Sequence, residues 1–431
     1  MKRLLLILLL FYLLMFLLTR IEFSGRQPYT AESIMALGFT LIAAYLLGKS
    51  LTPLQLPKIT GYILAGIITG PYLINLLSKP VVQNLQLIDE IALSLIALTA
   101  GGEFRYHTVR RQLKTIVSAI AWQIVIVISG FILFTLLYHN YIPFLAGKKM
   151  ATILGVGIIF GSLSIAKSPA TTIAVITETG ARGRFTDFVL GVTVFKDILV
   201  VLVFSIALSV AMPLIIPETH LSVSYIFEVF QEIAFSIGLG FLAGGIILLY
   251  LKYVKRQTAI FILGFMIFGI EITAMLHLEV ILVFMVAGFF VQNFSSLGGP
   301  LIEAVEAMSL PVYVIFFAIA GASLNFPVFM ENWLLAILIV SVRMATTFGG
   351  TYLGGKLTGA GKAINNYGWM GFVGQAGLTL GLAVVVKKNL PGEIGTAIST
   401  LVIGSIAINQ IIGPVLFRYS LVKVGETRWS A

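Results

Sequence analysis

The stretch FGSLSIAKSPATTIAVITETG, residues 160–180, starts as an apolar run and is then interrupted by polar residues. Lys167 and Pro169 stand at the interruption, among serine and threonine side chains. Proline removes a backbone N–H donor and clashes with the preceding helical turn, so we expect the helix to break here. Carbonyls freed by a break need new partners, which hydroxyls, water or an ion can supply. The stretch predicts a broken helix with polar backbone inside an apolar region.

The rest of the chain is equally apolar. Its 431 residues are 58% hydrophobic and only 11% charged, whereas soluble proteins carry about 25% charged residues. We therefore predict an all-α polytopic membrane protein embedded in a lipid bilayer. The chain has no cysteine, which excludes disulfides and thiol chemistry.

Apolar runs of about 20 residues predict about fourteen transmembrane helices. The first run resembles a signal peptide but lacks a small-residue cleavage site, so residues 1–31 are interpreted as an extra, retained helix and loop. The loop at His277 is almost absent, which makes that division the weakest. The runs fall near residues 4–19, 32–49, 58–77, 86–102, 113–138, 150–178, 184–212, 222–251, 258–276, 278–296, 309–329, 333–355, 366–386 and 395–417.

The distribution of basic residues predicts the orientation. With both termini on one side of the membrane, that side receives 18 of the 28 Lys and Arg residues and the other side 7. Basic loops favour the cytoplasmic side, so both termini are predicted to be cytoplasmic. The same bias explains the net charge of +10 without nucleic acid as a partner.

Three basic residues remain, and they lie at membrane depth: Lys167, Lys196 and Arg343. Asp197 and Glu271 are the acids expected to join them. Each charge at the centre of a membrane helix costs about 2.5–3.5 kcal/mol. We therefore predict a functional site, in which Lys167, Arg343 and Glu271 compensate charge in the core of the protein.

A second broken helix is predicted in GWMGFVGQAGLTLGLAVVV, residues 368–386, where Gly374, Gln375 and Gly377 weaken the helix. Each half of the chain thus has one interrupted segment beside a charged helix. This pattern is typical of an inverted-repeat secondary transporter, whose substrate site lies where the two breaks cross.

At these residues the sequence resembles the monovalent cation:proton antiporter-2 family, which includes bacterial sodium/proton antiporters and Kef-type transporters. The similarity rests on the order and spacing of several motifs together. They are LPKITGYILAGIITGP (56–71), IALTAGGEFRYHTVRRQ (96–112), AKSPATTIAVITETGARG (166–183), FKD (195–197), FFAIAGASLNF (316–326) and GQAGLTLGLA (374–383).

The resemblance implies an antiporter domain over residues 32–431, with mobile core helices at about 113–212 and 333–417 and a static dimerisation part. It also implies alternating access and a homodimer in the bacterial inner membrane. Because the last span ends near residue 417, no cytosolic regulatory domain is expected. Asp197 matches the ion-binding aspartate of the family, and Arg343 matches a basic residue that is usually lysine. Lys196 departs from the family, which commonly has Asp, Asn or Gln there.

The chemistry expected at Asp197 is competition between a proton and a monovalent cation. Alkali cations need oxygen ligands, which Asp197, Thr171, Thr172 and Ser168 could supply together with freed carbonyls. Protonation removes the charge that holds the cation, so one site serves both and the result is antiport. Lys196 is interpreted as a tethered cation: exchange is electroneutral if it keeps its proton and electrogenic if it releases one.

Two other functions stay open. Three buried bases against two acids could serve an anion transporter on the same fold, and a channel or sensor could use the same broken helices. No nucleophile–base pair, metal cluster or phosphate loop indicates an enzyme, a cofactor or a resident metal. The residues do not distinguish sodium, potassium and lithium.

Overall fold

The computed structural model describes residues 28–54, 56–216, 223–324, 330, 332–375, 377–390 and 392–427. These residues form helices joined by short loops, which confirms the predicted all-α class. The predicted first span, residues 4–19, lies outside the described residues.

The helices follow one another with few long connections. The α-helices are α1 (Pro28–Leu51), α2 (Lys58–Thr69), α3 (Lys79–Asn84), α4 (Gln86–Glu103), α5 (Tyr106–Arg110), α6 (Leu113–Tyr138), α7 (Met150–Ile165), α8 (Pro169–Thr179), α9 (Arg184–Ile215), α10 (Val223–Tyr253), α11 (Thr258–Met275), α12 (Val280–Phe294), α13 (Gly298–Ala322), α14 (Trp333–Leu357), α15 (Lys362–Tyr367), α16 (Gly377–Asn389) and α17 (Glu393–Val424). Short 3₁₀ helices occupy Thr52–Leu54, His139–Tyr141 and Gly368–Phe372.

Every predicted span after residue 31 overlaps one or two of these helices. By length and composition, eight stretches of the described chain can cross a membrane. The number becomes nine if α9, which bends by 42° just after Asp197, is counted as a single span. The apolar helices α2 and α12 are shorter, with 12 and 15 residues. The division at His277 is present, because α11 ends at Met275 and α12 begins at Val280.

The helices pack as two bundles. The first bundle, α6–α9 with α14–α17, is built on the contacts of α6 with α7 and α14 and of α16 with α17. The second bundle, α1–α4 with α10–α13, is built on the contacts of α12 with α4 and α10 and of α2 with α13. The bundles meet where α9 packs on α10 and where α8 packs on α4, so α9 lies at the boundary between them.

Candidate functional site

The first predicted break lies between α7 and α8. Helix α7 ends at Ile165, Ala166 and Ser168 have extended backbone angles, and α8 restarts at Pro169. The Ser168 hydroxyl accepts a hydrogen bond from the Thr171 N–H at 3.2 Å and so caps the new helix. Proline in the first helical position needs no N–H partner, which favours a restart at this residue.

The second break faces the first. The 3₁₀ helix Gly368–Phe372 ends, and α16 begins at Gly377. The Ser168 N–H donates to the Gly374 carbonyl at 2.8 Å, which joins the two breaks directly. This crossing of two interrupted helices is the arrangement predicted from Pro169 and the glycines.

Glycine is required at the crossing because three backbones meet there. A Cβ atom on Gly413 of α17 would lie 2.6 Å from the Gly374 Cα, and one on Gly374 would lie 3.0 Å from the Thr171 Cγ2. The first distance is shorter than any that real Cβ atoms adopt, and its partner is backbone that cannot rotate away. Gly413 and Gly374 therefore allow α17 to support the second break at van der Waals distance.

Arg343 binds the carbonyl ends of both broken helices. Its side chain, 1% exposed, comes from α14. Nε donates to the Ser164 carbonyl and Nη2 to that of Ala166, both at 2.9 Å, while Nη1 donates to Val373 at 2.6 Å and Nη2 to Phe372 at 2.9 Å. Helix C-termini carry partial negative charge, so a guanidinium between two of them is stabilised electrostatically.

Gln375 adds uncharged hydrogen bonds at the crossing of the two broken helices. Its Nε2 donates to the Leu163 and Ala166 carbonyls at 3.3 and 3.2 Å, and its Oε1 accepts from the Asn409 Nδ2 at 2.8 Å. The crossing is thereby connected to α17. Gln375 is fully engaged with protein groups.

Lys196 points away from its neighbour Asp197. Its ammonium donates to the Gln123 Oε1 of α6 at 2.6 Å and lies 5.6 Å from the centre of the Phe372 ring. Gln123 in turn donates to the Thr351 hydroxyl of α14 at 2.9 Å. Consecutive helical residues project about 100° apart, which is why one member of the pair enters the first bundle and the other faces its boundary.

Lys167 has a different environment. Its side chain is 1% exposed, and within the described residues its ammonium has no hydrogen-bond partner. It interacts electrostatically with Asp197. The compensation of helix ends expected of Lys167 is carried out by Arg343, because the break turns the two carbonyl ends toward α14.

Asp197 lines a small cavity at the boundary between the bundles. The residue is 9% exposed, and its Oδ1 is buried without a hydrogen-bond partner among the described residues. The cavity has a volume of about 30 Å³ and is lined by a second carboxylate, Glu279, which directly precedes α12. Its other walls are apolar and consist of Val201, Ile233, Ile281, Leu282, Met285 and Leu378.

The predicted hydroxyl ligands differ in how far they are committed to protein contacts. The Thr172 hydroxyl donates toward the Ser168 and Gly371 carbonyls at 3.3 and 3.2 Å, and the Ser168 hydroxyl caps α8. The buried Thr171 hydroxyl has no partner in the described chain. Of the three, Thr171 therefore has the most free oxygen to offer.

One expected member of the site lies elsewhere. Glu271 is exposed on the surface of α11, outside the buried group, so it does not compensate charge at the crossing. Residues that sequence reasoning missed are Gln123 and Glu279. Gln123 could have been noticed as a lone amide in a long apolar run, and Glu279 as an acid in the short loop after His277.

The chain matches the transmembrane domain of sodium/hydrogen exchangers over residues 37–421. It belongs to this family. The members of this family are transporters rather than enzymes, and the chain is a multi-pass membrane protein. A curated relative, Na(+)/H(+) antiporter 1 of Methanocaldococcus jannaschii, is 27% identical over 171 residues; the match spans 38% of this chain and 38% of that relative.

Two solved structures share the fold of this chain. One is the sodium proton antiporter MjNhaP1 of Methanocaldococcus jannaschii at pH 8, with a TM-score of 0.68 and 19% identity; it covers 92% of this chain and 99% of its own. The other, an electron-microscopy structure of the same antiporter, has a TM-score of 0.70 and 18% identity with the same coverage. These similarities establish the fold.

A second, larger cavity lies toward the start of α9. It has a volume of about 660 Å³ and is lined by four acids and two bases: Glu103, Asp187, Glu303, Glu306, Arg105 and Arg182. Leu190 of α9 and Gln292 of α12 also border it. The small cavity instead borders Asp197, nearer the middle of α9, and Met285, nearer the start of α12.

Three phenylalanine rings occupy the interval between the cavities. Phe104 packs edge-on against Phe195 of α9, with ring centres 5.9 Å apart, and against Phe289 of α12 at 5.6 Å. Phe195 lies between Leu190 and Asp197 in the chain, and Phe289 between Met285 and Gln292. The three rings, named the phenylalanine cluster here, join α9 to α12 and to the end of α4.

Proposed function

We propose that the exchanger moves a monovalent cation, Na⁺ or K⁺, across the membrane in exchange for protons by alternating access, with Asp197 as the shared binding site. The observation that carries this proposal is the buried, unpartnered Asp197 oxygen in a cavity between two bundles. Membership of the sodium/hydrogen exchanger family supports the exchange reaction.

The proton and the cation compete for the same carboxylate. A carboxylate taken out of water favours a bound proton, and nearby positive charge opposes protonation. Asp197 has both influences, because it is buried and interacts with Lys167. A cation can bind only when the proton has left, and among the predicted hydroxyl ligands Thr171 has an oxygen without a partner in the described chain.

The basic residues are better explained by structure than by anion binding. Arg343 makes four hydrogen bonds to carbonyls, and Lys196 donates to Gln123. A cation already engaged with protein oxygens is poorly placed to bind an anion from solution. Only Lys167 among the three has no partner in the described chain, so the anion transporter becomes an outcome of the test below.

We expect the exchange to be electroneutral. Lys196 is held by Gln123 inside the first bundle and does not line the Asp197 cavity. We infer that the Gln123 oxygen holds this lysine in its protonated form, which leaves one proton for one monovalent cation at Asp197. Flux that does not respond to an imposed membrane potential agrees with this stoichiometry, and voltage-dependent flux contradicts it.

The remaining features follow the same proposal. The first bundle acts as the mobile core and the second as the static part, through which two copies form a homodimer. Both termini face the cytoplasm in a bacterial inner membrane, and the chain belongs to the antiporter-2 branch of the family, as its motifs indicate.

The test is proton flux in proteoliposomes that hold a preset pH gradient. Chloride salts of sodium, potassium or lithium are added to the wild type, to Asp197→Asn and to Glu393→Gln, which removes an exposed acid at the start of α17. We expect cation-dependent dissipation in the wild type and in Glu393→Gln but not in Asp197→Asn. Flux that depends on the anion, or that persists in folded Asp197→Asn, overturns the proposal.

A further inference from the structure

The cavity at Asp197 contains two carboxylates from different bundles. Asp197 is carried by α9 of the first bundle, and Glu279 precedes the first turn of α12 in the second. Their side chains share a space of about 30 Å³ whose other walls are apolar. Two acids in one apolar cavity repel each other, and a cation between them removes that repulsion.

Neither carboxylate is neutralised by a protein partner. The Asp197 Oδ1 is buried without a hydrogen bond, and in the described part of the chain the half-buried Glu279 carboxylate forms no hydrogen bond or ion pair. Glu232 lies close enough to add to the negative charge at Glu279. The cavity therefore attracts cations.

Glu279 is anchored independently of Asp197. Its backbone N–H donates to the Ser236 hydroxyl of α10 at 3.1 Å, and α12 packs along α4 and α10 within the second bundle. Motion of the first bundle against the second therefore changes the distance between the two carboxylates.

The position of Glu279 on α12 gives this arrangement a direction. Glu279 and the loop between α11 and α12 lie at the start of α12, whereas the large cavity borders Gln292 near the end of the same helix. A cation that arrives from the loop between α11 and α12 meets Glu279 before it reaches Asp197. One that arrives from the large cavity does not.

We propose that Glu279 is a second cation-binding carboxylate, which receives an alkali cation on one face of the membrane and passes it to Asp197 through the shared cavity. This inference rests on the proposed exchange at Asp197. It assigns Glu279 to binding from one face only. Removal of its charge weakens cation uptake from that face and leaves uptake from the opposite face unchanged.

The native chain has no cysteine, so a single introduced thiol can be modified selectively. In proteoliposomes, Glu279→Cys is treated from outside with an impermeant thiosulfonate carrying either a sulfonate or a quaternary ammonium. Only molecules that present the α11–α12 loop outward react. We expect the sulfonate to lower the apparent KM for external Na⁺ roughly 5- to 10-fold relative to the ammonium, as opposite charges at close range require.

Three comparisons separate the outcomes. Glu279→Asp keeps the charge and is expected to retain most of the external affinity, while Glu279→Gln loses it. Glu393→Gln, which removes an exposed acid at the start of α17, leaves the apparent KM for Na⁺ unchanged on both faces of the membrane. Because both reagents act on one folded preparation, misfolding cannot produce the difference between them.

The inference is overturned if Glu279→Cys does not react from either face, if the two reagents have equal effects, or if Glu279→Gln changes the apparent KM equally on both faces. If instead the wild type shows no cation-dependent flux, the proposed exchange fails before Glu279 is tested.

Discussion

Replacing Arg343 tests whether the crossing of the two broken helices depends on one side chain. Arg343→Met keeps much of the side-chain volume and removes all four hydrogen bonds to the carbonyls of α7 and the second break. The carbonyls are then left in an apolar, buried environment. Arg343→Lys keeps the charge but loses the planar fork that reaches both helix ends at once.

The magnitude follows from the number and kind of bonds lost. Each hydrogen bond to a charged group contributes about 1.5–3 kcal/mol, but relaxation and entering water recover part of that sum. Removing one partner from a buried charged network costs about 3–5 kcal/mol. We expect this loss in the free energy of unfolding for Arg343→Met and about half of it for Arg343→Lys, since an ammonium can satisfy only some of the carbonyls.

The assay is the thermal unfolding of purified protein in detergent, followed by tryptophan fluorescence, beside cation-dependent proton flux in proteoliposomes. Lys356→Met is the matched control, because it removes an exposed cation from the same helix. We expect a clear fall in melting temperature in the order Lys356→Met, Arg343→Lys, Arg343→Met, and loss of flux in Arg343→Met. Equal melting temperatures for the two methionine variants would refute the reasoning.

Three further predictions concern packing, buried charge and capping. Gly413→Ala places a methyl 2.6 Å from backbone of the second break, so it should cost about 1–3 kcal/mol and reduce flux, while Gly381→Ala, which meets open space, should be tolerated. Gln123→Leu leaves the Lys196 ammonium without its hydrogen bond and should cost about 3–5 kcal/mol. Adding Lys196→Met should recover much of the lost melting temperature. If the effects of the two substitutions on stability simply add, the pairing of Lys196 with Gln123 is contradicted. Glu426→Gln should cost about 1 kcal/mol, because this carboxylate accepts two N–H groups and a hydroxyl at the first turn of α9; an unchanged melting temperature would count against that cap.

The breaks could be predicted from the sequence because their causes are local. Pro169 cannot continue α7, and Gly374 and Gly377 lower helix stability wherever they stand. The charged residues at membrane depth were equally visible, since hydropathy isolates them. What these signals cannot give is the direction in which each charged side chain points.

The partners of Lys196 and Asp197 depend on the rotation of α9 and on helices far along the chain. Gln123 lies 73 residues from Lys196 in sequence, and Glu279 belongs to the other bundle. The misplacement of Glu271 has a related cause. Helix α11 is apolar on all sides, because lipid and protein interior both favour apolar side chains, so the pattern does not reveal which face is covered.

The phenylalanine cluster and the contact of Glu178 both join the first bundle to the second. The Glu178 carboxylate at the end of α8 accepts the Lys58 N–H at 2.9 Å, which joins the first bundle to α2 of the second near the start of α9. Phe195 of α9 joins the bundles through its contact with Phe104. Under the proposed exchange, movement of the first bundle against the second has to separate or rearrange both contacts.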